Sequence, residues 1–180
     1  VLVPMVTEEP SIVAASSKMA KIIACAGGFS TRVDSPIMRG QVQCYGMADI
    51  DHFCLMFLEH KAKMIAHLNQ ACARMTARGG GVIGIDYRMM SSSLGPMFII
   101  EPRVNVRDAM GANIVNHLME RLGDYCRSTL NVNVGLRILS NYADERLAES
   151  WCSIPFSLLS HDPSHDFGAG IARALQWSHA

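Results

Sequence analysis

The sequence has neither an excess of charge nor a long apolar run. Sixteen Lys and Arg residues balance sixteen Asp and Glu residues, so the chain lacks the basic field that attracts nucleic acid or anionic membranes. No uncharged apolar run reaches the roughly 18 residues of a membrane span. The N-terminal residues also lack the basic segment of a signal peptide. We therefore expect neither nucleic acid nor membrane as a partner.

The six cysteines have no spacing typical of a metal site or a disulfide framework. No C-x-x-C pair occurs among them, which favours buried free thiols in a reducing compartment and predicts a cytoplasmic protein. His161 and His165 are four residues apart, but Pro163 lies between them and disfavours the helix that would let both bind one metal. We expect a solvated turn there and no metal site.

The sequence does contain enough apolar residues, 49% of the total, to build a core. Helical periodicity follows Pro10 over 11–26, and Gly27 and Gly28 end it. A turn over 27–36 comes next. From Gln41 to Ser140 the patterns read as a strand (40–45), a helix (49–77), a hairpin (82–90 and 96–106), a helix (108–124) and a strand (133–140).

This β-α-β-β-α-β order predicts an α+β fold with a ferredoxin-like domain, in which two helices cover one face of an antiparallel four-stranded sheet. The flanking stretches are typical of a different, mainly helical domain. We therefore predict a small domain at 38–140 inserted into a larger one, which is represented here by 1–37 and 141–180.

The stretch VNVRDAMGANIVN, residues 104–116, joins a strand to a helix. Asp108 can cap the helix, and Gly111 would bare the backbone in its first turn, which suits a phosphate or another electron-rich group. We expect Met110, Ile114, Leu118 and Leu122 to pack on the sheet. A capped helix with one tolerated glycine explains the same residues, and the stretch is not a G-x-G-x-x-G motif.

Glu8 and Glu9 precede Pro10 and the first helix. Negative charge before a helix is favourable by about 0.3–1 kcal/mol, which alone accounts for both residues. A general acid would need a carboxyl whose proton affinity is raised by burial or by a second carboxylate. The adjacent pair permits that role without requiring it.

Four stretches, LVPMVTEEPSIVAA, GGF, VRDAMGAN and LRILSNYAD, resemble the class II, mainly bacterial, 3-hydroxy-3-methylglutaryl-coenzyme A reductases. The resemblance runs in register from Leu2 to about Leu147 and resumes weakly from Phe167 to Ala180. It implies an oxidoreductase that interconverts hydroxymethylglutaryl-CoA and mevalonate plus CoA by two hydride transfers with NAD(P)H. It also implies that the ferredoxin-like domain binds the cofactor and that the larger, partial domain binds the substrate.

The resemblance also implies roles for individual residues. Glu9, but not Glu8, matches the family's catalytic glutamate, a proton source during reduction of the thioester and then of the aldehyde-level intermediate. Ser11 and Asn141 match residues that contact the substrate. The remaining matches are to residues that hold the nicotinamide dinucleotide: Asp108, Met110, Gly111 and Asn113.

Two departures from the family pattern concern the cofactor and the C-terminal part. Cys72 stands where members that prefer NAD have an Asp that binds the ribose 2′-hydroxyl, which leaves the choice between NAD and NADP open. The segment from Ser150 to Asp166 matches the family poorly.

The resemblance further implies that the chain is an internal fragment of the enzyme. In the family, a helix like IARALQWSHA leads into the segment with the catalytic lysine, and the catalytic aspartate and histidine lie further on. This sequence stops at Ala180. A homodimer or a multiple of dimers is implied for the parent enzyme. The alternative is a non-catalytic ferredoxin-like module that binds a small ligand or a dinucleotide.

We expect the 180-residue chain alone to give no cofactor-dependent turnover of hydroxymethylglutaryl-CoA. It lacks the lysine that neutralises the developing alkoxide and the histidine that protonates the departing CoA thiolate. The absorbance of NAD(P)H at fixed substrate concentration checks this expectation, and detectable turnover by the purified chain would contradict it.

Overall fold

The hydrophobic periodicity of the sequence produces alternating helices and strands. The computed structural model describes residues 2–6, 9–93, 95–159 and 167–178. Its helices are α1 (Pro10–Cys25), α2 (Ile50–Ala71), α3 (Ala73–Thr76), α4 (Ala112–Thr129) and α5 (Phe167–Ser178). Its strands are β1 (Ser30–Val33), β2 (Ile37–Tyr45), β3 (Gly81–Ser92), β4 (Gly95–Asn105), β5 (Asn133–Leu139) and β6 (Ala148–Trp151). Phe156–Leu158 form a short 3₁₀ helix.

The second of two compact units, Val33–Leu147, contains the predicted β-α-β-β-α-β order. Its sheet has the strand order β3-β4-β2-β5, and every neighbouring pair is antiparallel. This is the ferredoxin-like arrangement, in which the first and third strands lie at the centre. The α+β prediction is therefore confirmed.

Helices α2 and α4 pack on the same apolar core as the sheet. Phe53 and Phe57 of α2 contact Phe98 of β4, with ring centroids 5.1 and 5.2 Å apart. The core also takes Leu118 and Leu122 from α4. Full burial of each such side chain contributes about 1.5–3 kcal/mol to folding, so this layer holds the unit together.

The boundaries of this unit lie outside the predicted ones. We expected 141–180 to belong to the larger domain, but residues up to Leu147 belong with the sheet. Ion pairs provide the physical reason, because Arg39 of β2 binds Asp144 and Glu145, and Arg103 of β4 also binds Glu145. Sequence periodicity carries no signal for such pairs.

The other unit consists of Val1–Arg32 and Ala148–Ala180. Here β1 and β6 form a two-stranded sheet, with an ion pair of 2.9 Å between Arg32 and Glu149. The sequence predicts a turn over 27–36 and no strand at either position, so both strands are a correction to that prediction. Both strands are exposed along their whole length, so neither shows the apolar alternation from which a strand is predicted.

The cysteines are free thiols, as expected, but only two of them are buried. Cys44 and Cys126 lie in the core, and the hydrogen bond between them, together with burial, raises the pKa of Cys126. Cys25 is exposed, contrary to the prediction, and the other three are partly buried. None of the described helices is both long and apolar enough to cross a bilayer.

The helix predicted over 49–77 is broken at Cys72 into α2 and α3. Its start is as expected, since the Asp49 carboxylate accepts hydrogen bonds from the backbone N–H groups of Asp51 and His52. Close to the break, the Asn69 amide donates to the carbonyl of Val82 at 3.0 Å and accepts from its N–H at 2.8 Å. These two bonds join the end of α2 to β3.

We expect Asn69→Ala to lower the free energy of unfolding by about 1–3 kcal/mol, because two backbone groups of the buried Val82 lose their side-chain partner. Denaturant unfolding measures the change. Gln70→Ala is the control, since this neighbouring side chain is exposed. Equal losses in the two variants would show that the Asn69 bonds contribute nothing specific.

Candidate functional site

The loop between β4 and α4 has a constrained backbone. Arg107 has a φ of +53°, a left-handed conformation that costs a residue with a side chain roughly 1–2 kcal/mol. Its N–H donates to Asn105 Oδ1 at 3.0 Å, and the N–H of Ala109 donates to the carbonyl of Val106 at 3.1 Å. The turn is therefore fixed by its own hydrogen bonds, and Asp108 lies exposed at its tip.

Helix α4 begins at Ala112, four residues later than predicted. Gly111 is its N-cap residue, and no side chain caps the helix; the expectation that Asp108 caps it is wrong. Gly111 has a φ of +95°, and a Cβ there would lie 2.5 Å from Met38 Sδ and 2.9 Å from Val106 Cγ1. Only glycine fits this buried position, and the positive end of the helix dipole is left without an anionic side chain.

Met110 does not pack on the sheet as predicted. Its side chain is 68% exposed, and its sulfur lies 3.4 Å from the backbone N–H of Ala112. The rest of the predicted stripe is correct, because Leu118 and Leu122 are fully buried and Ile114 packs partly against the core. Met110 therefore lies on the open side of the loop.

Two adjoining cavities border this loop. One, of about 530 Å³, is lined by Asp108 together with Arg74, Met75, Arg78, Val106, Arg107, Ala109 and Ile114. The other, of about 470 Å³, is lined by Asn113 and by Gln70, Ala71, Cys72, Ala73, Arg74, Met75, Ile114 and His117. Because Arg74, Met75 and Ile114 line both, the structure brings Asp108, Asn113 and Cys72 to one continuous concave surface.

Asn141 follows β5 and is exposed. It lines a smaller cavity of about 200 Å³, together with residues that include Arg39 and Arg146. The Arg146 guanidinium donates to the carbonyl of Met110 at 3.2 Å and to that of Ala109 at 3.3 Å. The segment that bears Asn141 is thereby joined to the loop that bears Asp108 and Met110.

Ion pairs anchor the same segment to the sheet. Arg39 Nε and Nη2 donate to the two oxygens of Asp144 at 2.9 and 3.2 Å, and Arg103 makes a second two-point bond to Glu145. Burial opposes charge on Arg39, but its hydrogen bond to Asp144 and the charges of Asp144, Glu145 and Asp86 outweigh this and raise its pKa. Arg39 therefore keeps its positive charge at any physiological pH.

Glu9 and Ser11 belong to the other unit, at the start of α1. Glu9 is the N-cap residue, with an extended backbone, and its side chain makes no capping hydrogen bond to the backbone of the helix. The Ser11 hydroxyl donates to Glu9 Oε1 at 2.5 Å, so these two predicted site residues lie together. Glu8 is outside the described residues, as are His161 and His165 of the rejected metal site.

Sequence reasoning missed the arginines of this surface. Arg74, Arg78 and Arg107 line the larger cavity, and Arg146 binds the loop. The positions of Arg78, immediately before three glycines, and of Arg107, immediately before Asp108, were signals that could have found two of them. Arg74 has no local signal; it belongs to α3, which follows the break at Cys72, and it shares a cavity with the loop.

Comparison with known proteins identifies one family. The family model of hydroxymethylglutaryl-coenzyme A reductase matches residues 1–175. A 3-hydroxy-3-methylglutaryl-coenzyme A reductase of Archaeoglobus fulgidus is 36% identical over 149 residues, which are 83% of this chain and 34% of that protein. A probable reductase of Borreliella burgdorferi is 29% identical over 156 residues, 87% of this chain and 35% of that protein. The chain thus spans about a third of these relatives' length.

Solved structures give the same result. The reductase of Streptococcus pneumoniae superposes with a TM-score of 0.84 at 36% identity, over 95% of this chain and 45% of that one. A structure of the class II enzyme from the same organism, bound to NADPH in open conformations, gives a TM-score of 0.83 at 35% identity, over 95% of this chain and 41% of that one.

We expect Gly111→Ala to lower the free energy of unfolding by about 2–4 kcal/mol, since a left-handed backbone and steric overlap with Met38 and Val106 act together. Gly95→Ala is a matched control, because Gly95 has a φ of +108° but open space around it. Its loss should be about 1–2 kcal/mol, from the left-handed backbone alone. Thermal or denaturant unfolding compares the two, and similar losses would contradict the steric argument.

Proposed function

Because this chain belongs to the hydroxymethylglutaryl-coenzyme A reductase family, we propose that it forms part of an enzyme that interconverts hydroxymethylglutaryl-CoA and mevalonate plus CoA. The observation that carries the proposal is the family match over 1–175, which includes every predicted site residue. In this proposal the chain supplies one catalytic group, two substrate contacts and a cofactor-binding loop.

A nicotinamide dinucleotide would supply the hydride. The residues of the loop fit such a group: α4 has an uncapped N-terminus, Gly111 lets the loop take its tight left-handed backbone, and Asp108 of the loop lines a cavity. Backbone N–H groups and the positive helix end attract a pyrophosphate. Asp108, Met110, Gly111 and Asn113 would hold the dinucleotide. The structure of the Streptococcus pneumoniae class II reductase bound to NADPH supports a nicotinamide cofactor for the enzyme.

Glu9 would move the proton of the reaction. Its carboxyl group would donate to the thioester carbonyl oxygen, and later to that of the aldehyde-level intermediate, as each becomes an alkoxide. The Ser11 hydroxyl, 2.5 Å from Glu9 Oε1, would fix the orientation of that carboxyl group. Ser11 and the Asn141 amide would contact the hydroxymethylglutaryl group through hydrogen bonds.

The same family membership argues against a binding module that performs no chemistry. Such a module would need only the β-α-β-β-α-β unit, whereas the family match extends over Glu9 and Ser11 outside it. The direction of the reaction would follow the supply of mevalonate and of hydroxymethylglutaryl-CoA. We also propose that the active enzyme is a homodimer or a multiple of dimers.

We expect Glu9→Gln, made in the product of the complete reading frame that encodes this chain, to lower kcat by roughly 10²–10⁴-fold. The reason is that an amide cannot donate the proton that the developing alkoxide needs. Oxidation of NAD(P)H with hydroxymethylglutaryl-CoA as substrate measures the change.

Glu8→Gln is the matched control and should retain kcat, because it removes the same charge from the adjacent residue. Equal losses in the two variants would mean that general negative charge before α1 matters, and they would contradict a specific proton donor at position 9.

A further inference from the structure

Arg146 joins the segment after β5 to the loop before α4. Its Nη1 donates to the carbonyl of Met110 at 3.2 Å, and its Nη2 donates to that of Ala109 at 3.3 Å. Among the described residues, no other hydrogen bond connects 140–147 with 106–111. We call these two bonds the Arg146 bridge. It is the hydrogen-bonded link between the two stretches and restrains how they lie relative to each other.

Each of the two stretches is also fixed by bonds of its own. The segment after β5 is held on the sheet by Arg39, which binds Asp144 at 2.9 Å. The loop is held by the N–H of Ala109, which donates to the carbonyl of Val106 at 3.1 Å. Loss of the Arg146 bridge would therefore leave both stretches folded, but it would free one to shift against the other.

The Arg146 bridge occupies none of the side chains that the proposed function assigns to a ligand. Both of its acceptors are main-chain carbonyls, and the side chains of Met110 and Asn141 are exposed. Arg146 is itself exposed and lines the same cavity of about 200 Å³ as Asn141. Removal of the guanidinium would thus leave both the substrate contact and the cofactor loop able to bind their ligands.

We propose that Arg146 is a positioning residue of the reaction, which places the cofactor loop relative to the substrate contact Asn141. The inference rests on the proposed function, in which the loop holds the dinucleotide and Asn141 contacts the substrate. Hydride transfer needs the reacting atoms to lie about 3–3.5 Å apart, and a misplacement of about 1 Å can slow a reaction roughly 100-fold. Arg146 acts through the two stretches that it joins.

The test is Arg146→Met, made in the product of the complete reading frame that encodes this chain. Methionine keeps an unbranched apolar stem but has no donor for the two carbonyls. We expect kcat to fall about 10–100-fold, while the KM values for hydroxymethylglutaryl-CoA and NAD(P)H stay within about threefold. The dissociation constant of NAD(P)H, from titration of its fluorescence, should also be unchanged. The same titration counts the binding sites, and kcat is expressed per site, so that a misfolded fraction does not enter.

Two further variants serve as controls. Arg146→Lys keeps the charge and has hydrogen-bond donors, so it should recover part of the lost kcat. Arg127→Met removes an arginine that pairs with Asp124 within α4, about 22 Å along the helix axis from Ala112. It should retain kcat. Circular dichroism establishes that each variant is folded. If Arg146→Met does not fold, Arg146→Gln takes its place, since its shorter side chain cannot replace both bonds.

The outcomes separate this proposal from the proposed function. An unchanged kcat in Arg146→Met would overturn the positioning role, and so would a raised KM for one ligand with kcat unchanged, since Arg146 would then act on binding. Equal losses in Arg146→Met and Arg127→Met would overturn it as well. A kcat of Arg146→Lys no higher than that of Arg146→Met would contradict hydrogen-bond donation as the cause. Absence of NAD(P)H oxidation by the unaltered enzyme would instead contradict the proposed function itself.

Discussion

Burial of α2 and α4 against one face of the four-stranded sheet is the interaction on which the rest of the second unit depends. It fixes the start of α4, and with it the loop before this helix, and it fixes the end of α2, where α3 turns aside. Both cavities lie between these two places. The shape of the candidate cofactor surface thus depends on how α2 and α4 pack in the core, and the loop alone does not determine it.

The sequence was informative wherever structure follows from neighbours in the chain. Pro10 and the paired glycines after α1 marked a helix correctly, and Asp49 begins α2 through its own side-chain bonds. The β-α-β-β-α-β order could be predicted because each of its strands and helices carries apolar residues at the right period. Strand register and the unit boundary at Leu147 depend on long-range partners such as Arg39 and Asp144, and periodicity does not report them.

The residues of the candidate site also fall into two groups, those that a local sequence motif predicts and those that only the fold brings together. The family resemblance placed Asp108 and Asn113 on what proves to be one concave surface, but it gave no role to Arg74 or Arg146. Arg74, in α3, lines the same cavity as the loop, and Arg146 reaches the loop from the segment after β5. Such residues belong to no sequence motif and come together only in the folded chain, so they can be identified only from the structure.

The bonds of Arg146 also bear on how this surface can change over evolutionary time. Its two acceptors are main-chain carbonyls, those of Ala109 and Met110, and every amino acid carries the same carbonyl. Substitutions at positions 109 and 110 can therefore alter what the loop presents to a ligand without removing either acceptor. The side chains of the loop can therefore vary while the loop stays bonded to the segment after β5, because only Arg146 must be kept for these two bonds.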